Sequence, residues 1–462
     1  MQQMTLTEIA AALGAEYHGP DAAITHISTD SRDLPAGSLF IALEGERTDG
    51  HRYVPMALRT GAAAAVVQKP VPDLTAEEQA RLLVVPNSFY APLAIAGAYR
   101  QRFSPLTVGV TGSVGKTTTK DFIAAVLSAR YRTLRSEGNH NNELGLPATV
   151  FELDDSVQAA VFEMGMEALG DIRLLTRVAW PDIGVITNVG VSHLERLGTR
   201  ENILAAKLEI TEGMADGSPL ILCGDNDLLS TVRIPRLRVL RFGIDGAELD
   251  ARARDIVTTG QETRFVIDYR GAGYPAVIPA MGRHNAMNAT AAFLVGVEAG
   301  LAPEQAAAAL SRYTISGMRQ RIRDWNGVTV VEDCYNAAPD SMHAALDTLA
   351  GMPCQGEKIC VFADMRELGS ASEEGHRSVG RHAARVADRL LVYGPQSHFY
   401  LEGAKAGGLA AAAEYPDRPA LAAAVRDAAR PGDIVWFKGS LLMHLSEVLS
   451  AAFPEDETSQ EQ

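Results

Sequence analysis

Short apolar runs separated by Gly and Pro turns fill the first hundred residues, as in GSLFIAL (37–43) and GAAAAVV (61–67). Runs of this length bounded by turn residues predict strands. Past Phe103-Ser104-Pro105 the pattern changes. The run LTVGV (106–110) leads into a glycine-rich turn, and KTTTKDFIAAVLSARY (116–131) follows with Phe122, Ile123, Val126 and Leu127 at helical spacing. AAVFEMG (159–165) and DIGVITNVG (182–190) read as two further buried strands. Strands alternating with helices predict a parallel, doubly wound α/β sheet. Beyond Gly317, VTVVED (328–333), KICVFAD (358–364), DRLLVYG (388–394) and DIVWFKGS (433–440) alternate with alanine-rich helices and predict a second α/β domain. The organisation expected is three domains, 1–104, 105–316 and 317–454, followed by an acidic tail at 455–462.

One helical stripe carries an unexpected charge. In RENILAAKLEITEGM (200–214), at about 100° per residue, Ile203, Ile210 and Met214 share a narrow stripe and Lys207 projects close to its centre. Glu201, Glu209 and Glu212 fall on the opposite face. Lys207 is either a buried lysine in need of a partner or one whose stem crosses apolar surface to reach water.

A length of 462 residues exceeds a single core, and 47% hydrophobic with 21% charged residues is the composition of an ordinary globular protein. The formal net charge of −15 argues against a broad nucleic-acid surface, so anionic ligands must be held by helix N-termini and single basic side chains. The four cysteines form no C-x-x-C and no histidine pair has zinc spacing, so neither a thiolate metal site nor a disulfide framework is expected. The start lacks a basic segment followed by an apolar one, and no apolar run approaches the roughly 18 residues of a membrane span. A cytoplasmic monomer without a membrane partner is the expectation.

The candidate chemistry gathers where strands end, the place at which doubly wound sheets collect ligands. VGVTGSVGKTTTKDF (108–122) has the form of a phosphate loop, with Gly112, Ser113 and Gly115 before Lys116, Thr117 and Thr118. The usual G-x-x-x-x-G-K-[ST] spacing puts a glycine where this chain has Val110. Lys116 is placed to reach the β- and γ-phosphates and Thr117 to ligate Mg²⁺. Glu163 ends the next strand and His193 lies just past the third; each is a metal ligand or simply a polar group at a sheet edge. Asn285 and Asn288 in GRHNAMNATAA share a helical face suited to reading a base, unless they are helix caps. GNHNNELGLP (138–147) is a polar substrate loop or a turn.

With these segments quoted, the sequence resembles the Mur ligases, ATP-dependent enzymes that build the peptidoglycan precursor. The likeness covers nearly the whole chain: T-G-x-x-G-K-T-T, which accounts for Val110, then GNHNNELGLP, FEMG, NVGVSHLERLG, AAKLEI and HNAMNA in the family's order. EDCYNAAPDSM, FADMRELG and FKGS look like the member that adds the terminal dipeptide, and STDSRDLPAGSLFIALEGERTDGH resembles the UDP-substrate domain shared with the member that adds the third residue. The D-N-P-R motif usual in that neighbour is absent. Val114, Cys334 and Ala338 depart from the family pattern.

The resemblance implies an ATP-dependent ligase that joins D-alanyl-D-alanine to UDP-N-acetylmuramoyl-tripeptide through an acyl phosphate. It implies Mg²⁺ held by Thr117 and Glu163, and a second Mg²⁺ held by His193 and by Lys207 as a carbamate. Asn285 and Asn288 match the adenine-reading pair, Asp333 the ribose-binding acid, and Arg319, or else Arg321, the phosphate-contacting arginine. Ser31 and Arg32 match the uridine-diphosphate side, and Asn139, Asn141 and Asn142 the muramoyl-peptide side. Tyr335, Asn336, Asp364 and Lys438 are assigned to the third-domain site for dipeptide or ATP, with ordinary strand-end polarity the alternative for Asp364 and Lys438. Two rival readings remain: a related ligase adding the third amino acid or glutamate, and a non-catalytic P-loop sensor, which needs neither the Glu163–His193–Lys207 set nor a UDP-sugar domain.

Overall fold

The computed structural model describes residues 1–454 apart from 33, 46, 47, 315, 316 and 318; the tail expected at 455–462 lies outside the described residues. The first segment holds a parallel four-stranded sheet in the order Ile27–Ser28, Leu39–Ile41, Ala64–Val67, Leu82–Val84. Leu39–Ile41 and Ala64–Val67 are buried at every position, which is why both are unbroken apolar runs in the sequence. Helix Ala91–Arg100, with Pro92 in its first turn, leads to the next sheet. Its Tyr99 hydroxyl donates to the Leu153 carbonyl at 2.7 Å, and Ile95 and Tyr99 share an apolar cluster with Val108, Phe122 and Leu153. The change of pattern near residue 104 thus falls in a connection, while the core runs on across it.

The central sheet has nine strands. Strand β1 (Leu106–Thr111) feeds helix α1 (Lys116–Leu127), and β2 (Ala159–Glu163) and β3 (Ile183–Ile186) flank β1 in parallel. Phe122, Ile123, Val126 and Leu127 are all fully buried, as their spacing predicted. Helix α2 (Arg200–Leu208) starts at Thr199, whose hydroxyl accepts the Asn202 N–H. Helix α3 (Arg283–Glu298) follows, and the shorter helix Pro303–Ala309 packs into the same core at the end of the segment.

Two expectations need correction. The sheet is not parallel throughout: Ala251–Thr259, Glu262–Tyr269 and Ala272–Ile278 form an antiparallel extension at one edge. Its turns use Gly260 and Gly271, both at positive φ, and half-exposed antiparallel strands carry a weaker apolar signal than buried parallel ones. Glu209 is buried, not on an exposed face. The face opposite Ile203 and Ile210 is covered there by the start of helix Asp171–Ala179, which buries Glu209. Its carboxylate accepts the N–H groups of Gly170 and Arg173 at the start of helix Asp171–Ala179.

The third sheet has six strands, with one antiparallel edge strand, Arg321–Trp325, beside β4 (Val328–Asp333). Helix α4 (Pro339–Gly351) follows, then β5 (Lys358–Ala363), Arg389–Tyr393, Ala412–Tyr415 and finally β6 (Ile434–Lys438) between β4 and β5. The four strands expected from the sequence are all present. Among the described residues no helix is long and apolar enough to cross a membrane.

Candidate active site

The end of β1 explains where glycine is needed. Val110 is fully buried inside the strand, in register with Glu163, so it belongs to the sheet and not to the turn. Gly112 has φ 151°, and a Cβ there would lie 1.9 Å from Thr187 Oγ1; Gly115 has φ 80°, and a Cβ on it would lie 3.0 Å from Asn288 Oδ1. Asn188, two residues past β3, holds the turn: its backbone carbonyl accepts from Ser113 N–H at 3.1 Å and its Oδ1 from Val114 N–H at 2.8 Å. The first-turn N–H groups of α1, which no helix can satisfy internally, open beside this turn. The Lys116 ammonium rests on the carbonyls of Gly112 (2.9 Å) and Ser113 (3.4 Å). Burial lowers its pKa, Glu163 opposes that shift and Arg319 adds to it.

This turn forms one wall of a cavity of about 850 Å³ between the central and third sheets. Ser113, Gly115, Lys116, Thr117, Thr118, Asn139, Asn141, Asn142, Glu163, His193, Asn285 and Asn288 line it from the central side. Arg319, Asp333, Tyr335, Asn336 and Lys438 line it from the third domain. Side chains as far apart in sequence as Lys116 and Lys438 meet because every contributing parallel strand presents its carboxyl end.

Glu163 is the most constrained carboxylate on the wall. It is 1% exposed; Oε1 accepts from Asn141 Nδ2 at 2.8 Å, and its own N–H reaches Ser136 Oγ. Oε2 has no hydrogen-bond donor among the described residues. Its nearest ion-pair partner is the buried Lys120 ammonium at 3.9 Å, which also reaches the Gly138 carbonyl. A buried carboxylate oxygen left without a donor is a place for a cation. Lys207 presents the complementary anomaly: it is 1% exposed, and among the described residues no hydrogen bond or ion pair reaches its ammonium. Burial, with the charge of Lys116 adding to it, holds its pKa well below the usual lysine value. His193 adopts φ 65°, and its Nδ1 lies 2.6 Å from Glu367 Oε2, close but off the line of a good hydrogen bond. Thr117, Glu163 and His193 line the same cavity and offer oxygen and imidazole donors, which suit a hard cation such as Mg²⁺ better than a soft metal.

On the α3 side of the cavity, Asn285 Nδ2 donates to the Met281 carbonyl at 2.8 Å and to Gln320 Oε1 at 3.1 Å. Gln320 also meets His284, whose pKa burial pushes down to about 4, with Lys438 adding to the shift. The Arg319 guanidinium stacks 4.0 Å over the Tyr335 ring, and Lys438 Nζ donates to Asp333 Oδ2 at 2.7 Å and to the Asn336 carbonyl. Between the two candidate arginines, Arg319 reaches the cavity and Arg321 sits exposed on the edge strand.

Several expected residues are not on the wall. Gly112 lies behind it as the lysine's anchor, and Lys207 is sealed beneath it. Asn142 lines the cavity, yet its Oδ1 also accepts the Leu144 and Gly145 N–H groups at the start of helix Gly145–Val150. Ser31 and Arg32 lie apart, with Arg32 paired to Asp30; from the first segment only Phe89 reaches this cavity among the described residues. Sequence reading missed Asn188, Gln320, Lys120 and Glu367. Asn188, Lys120 and Glu367 lie inside the quoted segments NVGVSHLERLG, VGVTGSVGKTTTKDF and FADMRELG, and Gln320 follows Arg319, which was the available signal.

Asp364 is also away from the wall. It is fully buried, accepts the Gln396 N–H at 2.9 Å, and has Oδ1 3.9 Å from His376 Nε2. Burial pushes its pKa up to about 6. The folded state therefore keeps a proton that the unfolded chain releases near pH 4, and stability falls as pH rises from about 4 to 6. Asp364→Asn, which retains the acceptor, should be more stable than the parent at pH 7 by on the order of 2 kcal/mol, with the advantage shrinking towards pH 4. Urea unfolding of both proteins at the two pH values checks this; a pH-independent difference would refute it.

A glycine turn on a strand–helix junction, facing acids and bases of a second α/β domain across one cavity, defines a nucleotide-dependent enzyme of the P-loop class. Known families agree. The Mur ligase family catalytic domain matches residues 23–94, the Mur ligase middle domain 110–296, and the Mur ligase glutamate ligase domain 318–441. The UDP-N-acetylmuramoyl-tripeptide–D-alanyl-D-alanine ligase of Bacillus subtilis is 39% identical over 426 residues, 92% of each chain. A crystal structure of MurF from Acinetobacter baumannii superposes with a TM-score of 0.90 at 28% identity, covering 98% of this chain and 100% of that one. MurF from Thermotoga maritima, solved in complex with ADP, gives 0.83 at 27% identity over 92% and 96%. The chain belongs to the Mur ligase family.

Proposed function

We propose that this chain is an ATP-dependent ligase that joins the amino group of D-alanyl-D-alanine to the terminal carboxylate of UDP-N-acetylmuramoyl-tripeptide in the cytoplasm. The observation that carries this is the likeness to ligases of that name along nearly the full length of both chains. The cavity supports it, since it offers a phosphate turn and a second domain's polar wall to one reacting centre.

A carboxylate is a poor electrophile, so the γ-phosphoryl group is first transferred to it, giving an acyl phosphate and ADP. The dipeptide amine then attacks the acyl carbon; the tetrahedral intermediate collapses to the amide and releases phosphate. Two anions must meet in the first step, so the chain's main contribution is charge neutralisation and positioning. The α1 N-terminus and Lys116 hold the phosphates, with Lys116 leaving the Gly112 carbonyl to follow the transferring group. Asn285 and Asn288 read the base, Asp333 the ribose, and Arg319 the phosphates from the third domain, braced on Tyr335. Thr117 and Glu163 would hold one Mg²⁺, and His193 with Lys207 as a carbamate a second; when bound, these ions supply charge to the phosphates and the reacting carboxylate. Ser31 and Arg32, apart from the cavity, serve the uridine end, and Asn139, Asn141 and Asn142 the peptide end. Tyr335, Asn336 and Lys438 are the candidates for the incoming dipeptide; sealed Asp364 is not.

Purified protein is expected to release phosphate from ATP only when UDP-muramoyl-tripeptide and D-alanyl-D-alanine are both present. Equal release with a single free amino acid as donor would favour the neighbouring third-residue ligase.

A further inference from the structure

His193 and Glu367 come from different sheets: His193 from the segment after β3, Glu367 from the turn after β5. Their side chains meet, with Nδ1 of the ring 2.6 Å from Glu367 Oε2, within ion-pair range though off the line of a good hydrogen bond. Both residues hold left-handed backbone conformations, φ 65° and 64°. Such conformations are costly in a residue with a side chain and persist only where the surroundings enforce them. Here the enforcing contacts run between the two domains. Glu195 N–H reaches the Glu367 carbonyl at 3.4 Å, and a Cβ on Gly369 would lie 2.8 Å from Glu195 Cα. Val191 packs against the third-domain cluster that contains Met365 and Leu368. Two strained residues are thus pressed together by the docking of one domain on the other.

We infer that Glu367 is a positioning residue for His193: docking of the third domain brings a carboxylate to Nδ1, which fixes the ring and its tautomer and leaves Nε2 for the cavity. This rests on the ligand role given to His193 above. A carboxylate on one imidazole nitrogen keeps the proton there and makes the other nitrogen an acceptor, the arrangement an imidazole needs to bind a cation. Because the carboxylate belongs to the other domain, the central domain alone lacks the correctly set histidine, and the site is complete only when the two domains are together.

The test uses the full chain with Glu367→Ala and Glu367→Gln. Nitrogen-15 NMR of His193 in protein free of nucleotide and metal reads the ring directly. In the parent Nδ1 should be protonated; in Glu367→Ala the proton should move to Nε2. The same variant should lose about 10–100-fold in kcat with the KM for ATP within twofold, the usual scale for an outer-shell partner. Its melting temperature should stay within a few degrees, since the side chain is 43% exposed. Glu367→Gln keeps an acceptor for Nδ1–H and should hold the tautomer and lose under tenfold. Unchanged His193 signals or full kcat in Glu367→Ala, or a glutamine variant equal to alanine in both readouts, would overturn the inference. If the parent itself fails to ligate the dipeptide, the functional reading fails, and the NMR comparison still decides the pairing.

Discussion

Replacing Lys207 by alanine is expected to abolish ligation, by at least about 10³-fold or roughly 4 kcal/mol of transition-state stabilisation, while leaving the protein folded. The side chain is sealed, beside the charge of Lys116, with no anion among the described residues to pair with it. A buried ammonium in that position is costly, and the lowered pKa favours the neutral amine, the form that adds CO₂ to give a carbamate and a proton. The product is an anionic oxygen donor that a cation near Glu163 and His193 can use. Removing an unpaired charge costs the fold little, so circular dichroism and melting temperature should match the parent. Formate or acetate should restore part of the rate in Lys207→Ala by filling the vacated space with a carboxylate. Lys207→Arg keeps the positive charge but cannot form the carbamate, and should stay inactive. Substantial activity in the arginine variant would show that charge alone matters and would sink the carbamate.

Lys116→Ala should lower kcat by about 10²–10³-fold, or 3–4 kcal/mol, because it removes a charge that follows the phosphoryl group as it transfers. In this structure the ammonium lies on the Gly112 and Ser113 carbonyls, so the turn itself stores the lysine within reach of the phosphates. The contrast is with Ser31→Ala, in a part of the chain that does not line the cavity. That change should raise the KM for the UDP substrate and leave kcat nearly unaltered, because binding energy far from the chemistry is shared by ground and transition states. Steady-state kinetics on both variants, with each substrate varied in turn, measure the split. The reverse pattern would mean that the two domains have been given the wrong ligands.

Much of this site was legible in the chain because its residues sit at fixed offsets from strands that announce themselves. Val108 and Val110 mark a buried strand, and whatever follows such a strand in a parallel sheet lies at the ligand-binding edge; this located Lys116, Glu163, His193, Asp333 and Lys438. Helical periodicity placed Lys207 on the buried stripe, and Lys207 is indeed sealed. Two residues later it did not anticipate that Glu209 is buried, because the start of helix Asp171–Ala179 covers that face, and periodicity within one helix says nothing of which neighbour packs on it. The antiparallel edge strands were missed because exposure on one face makes them alternate, as buried Thr263, Phe265, Ile267 and Tyr269 do, so they lack the continuous apolar run by which the buried parallel strands were read. Asp364 shows the limit most plainly. It ends a strand just as Asp333 does, yet one carboxylate faces the cavity and the other is closed in against Gln396 and His376. By itself, the sequence determined the element order, the phosphate turn and the family. Which strand-end residues meet across the cleft, and that Glu367 reaches His193, were decided by tertiary structure alone, since each depends on how two separately wound sheets dock, and no local spacing encodes that distance.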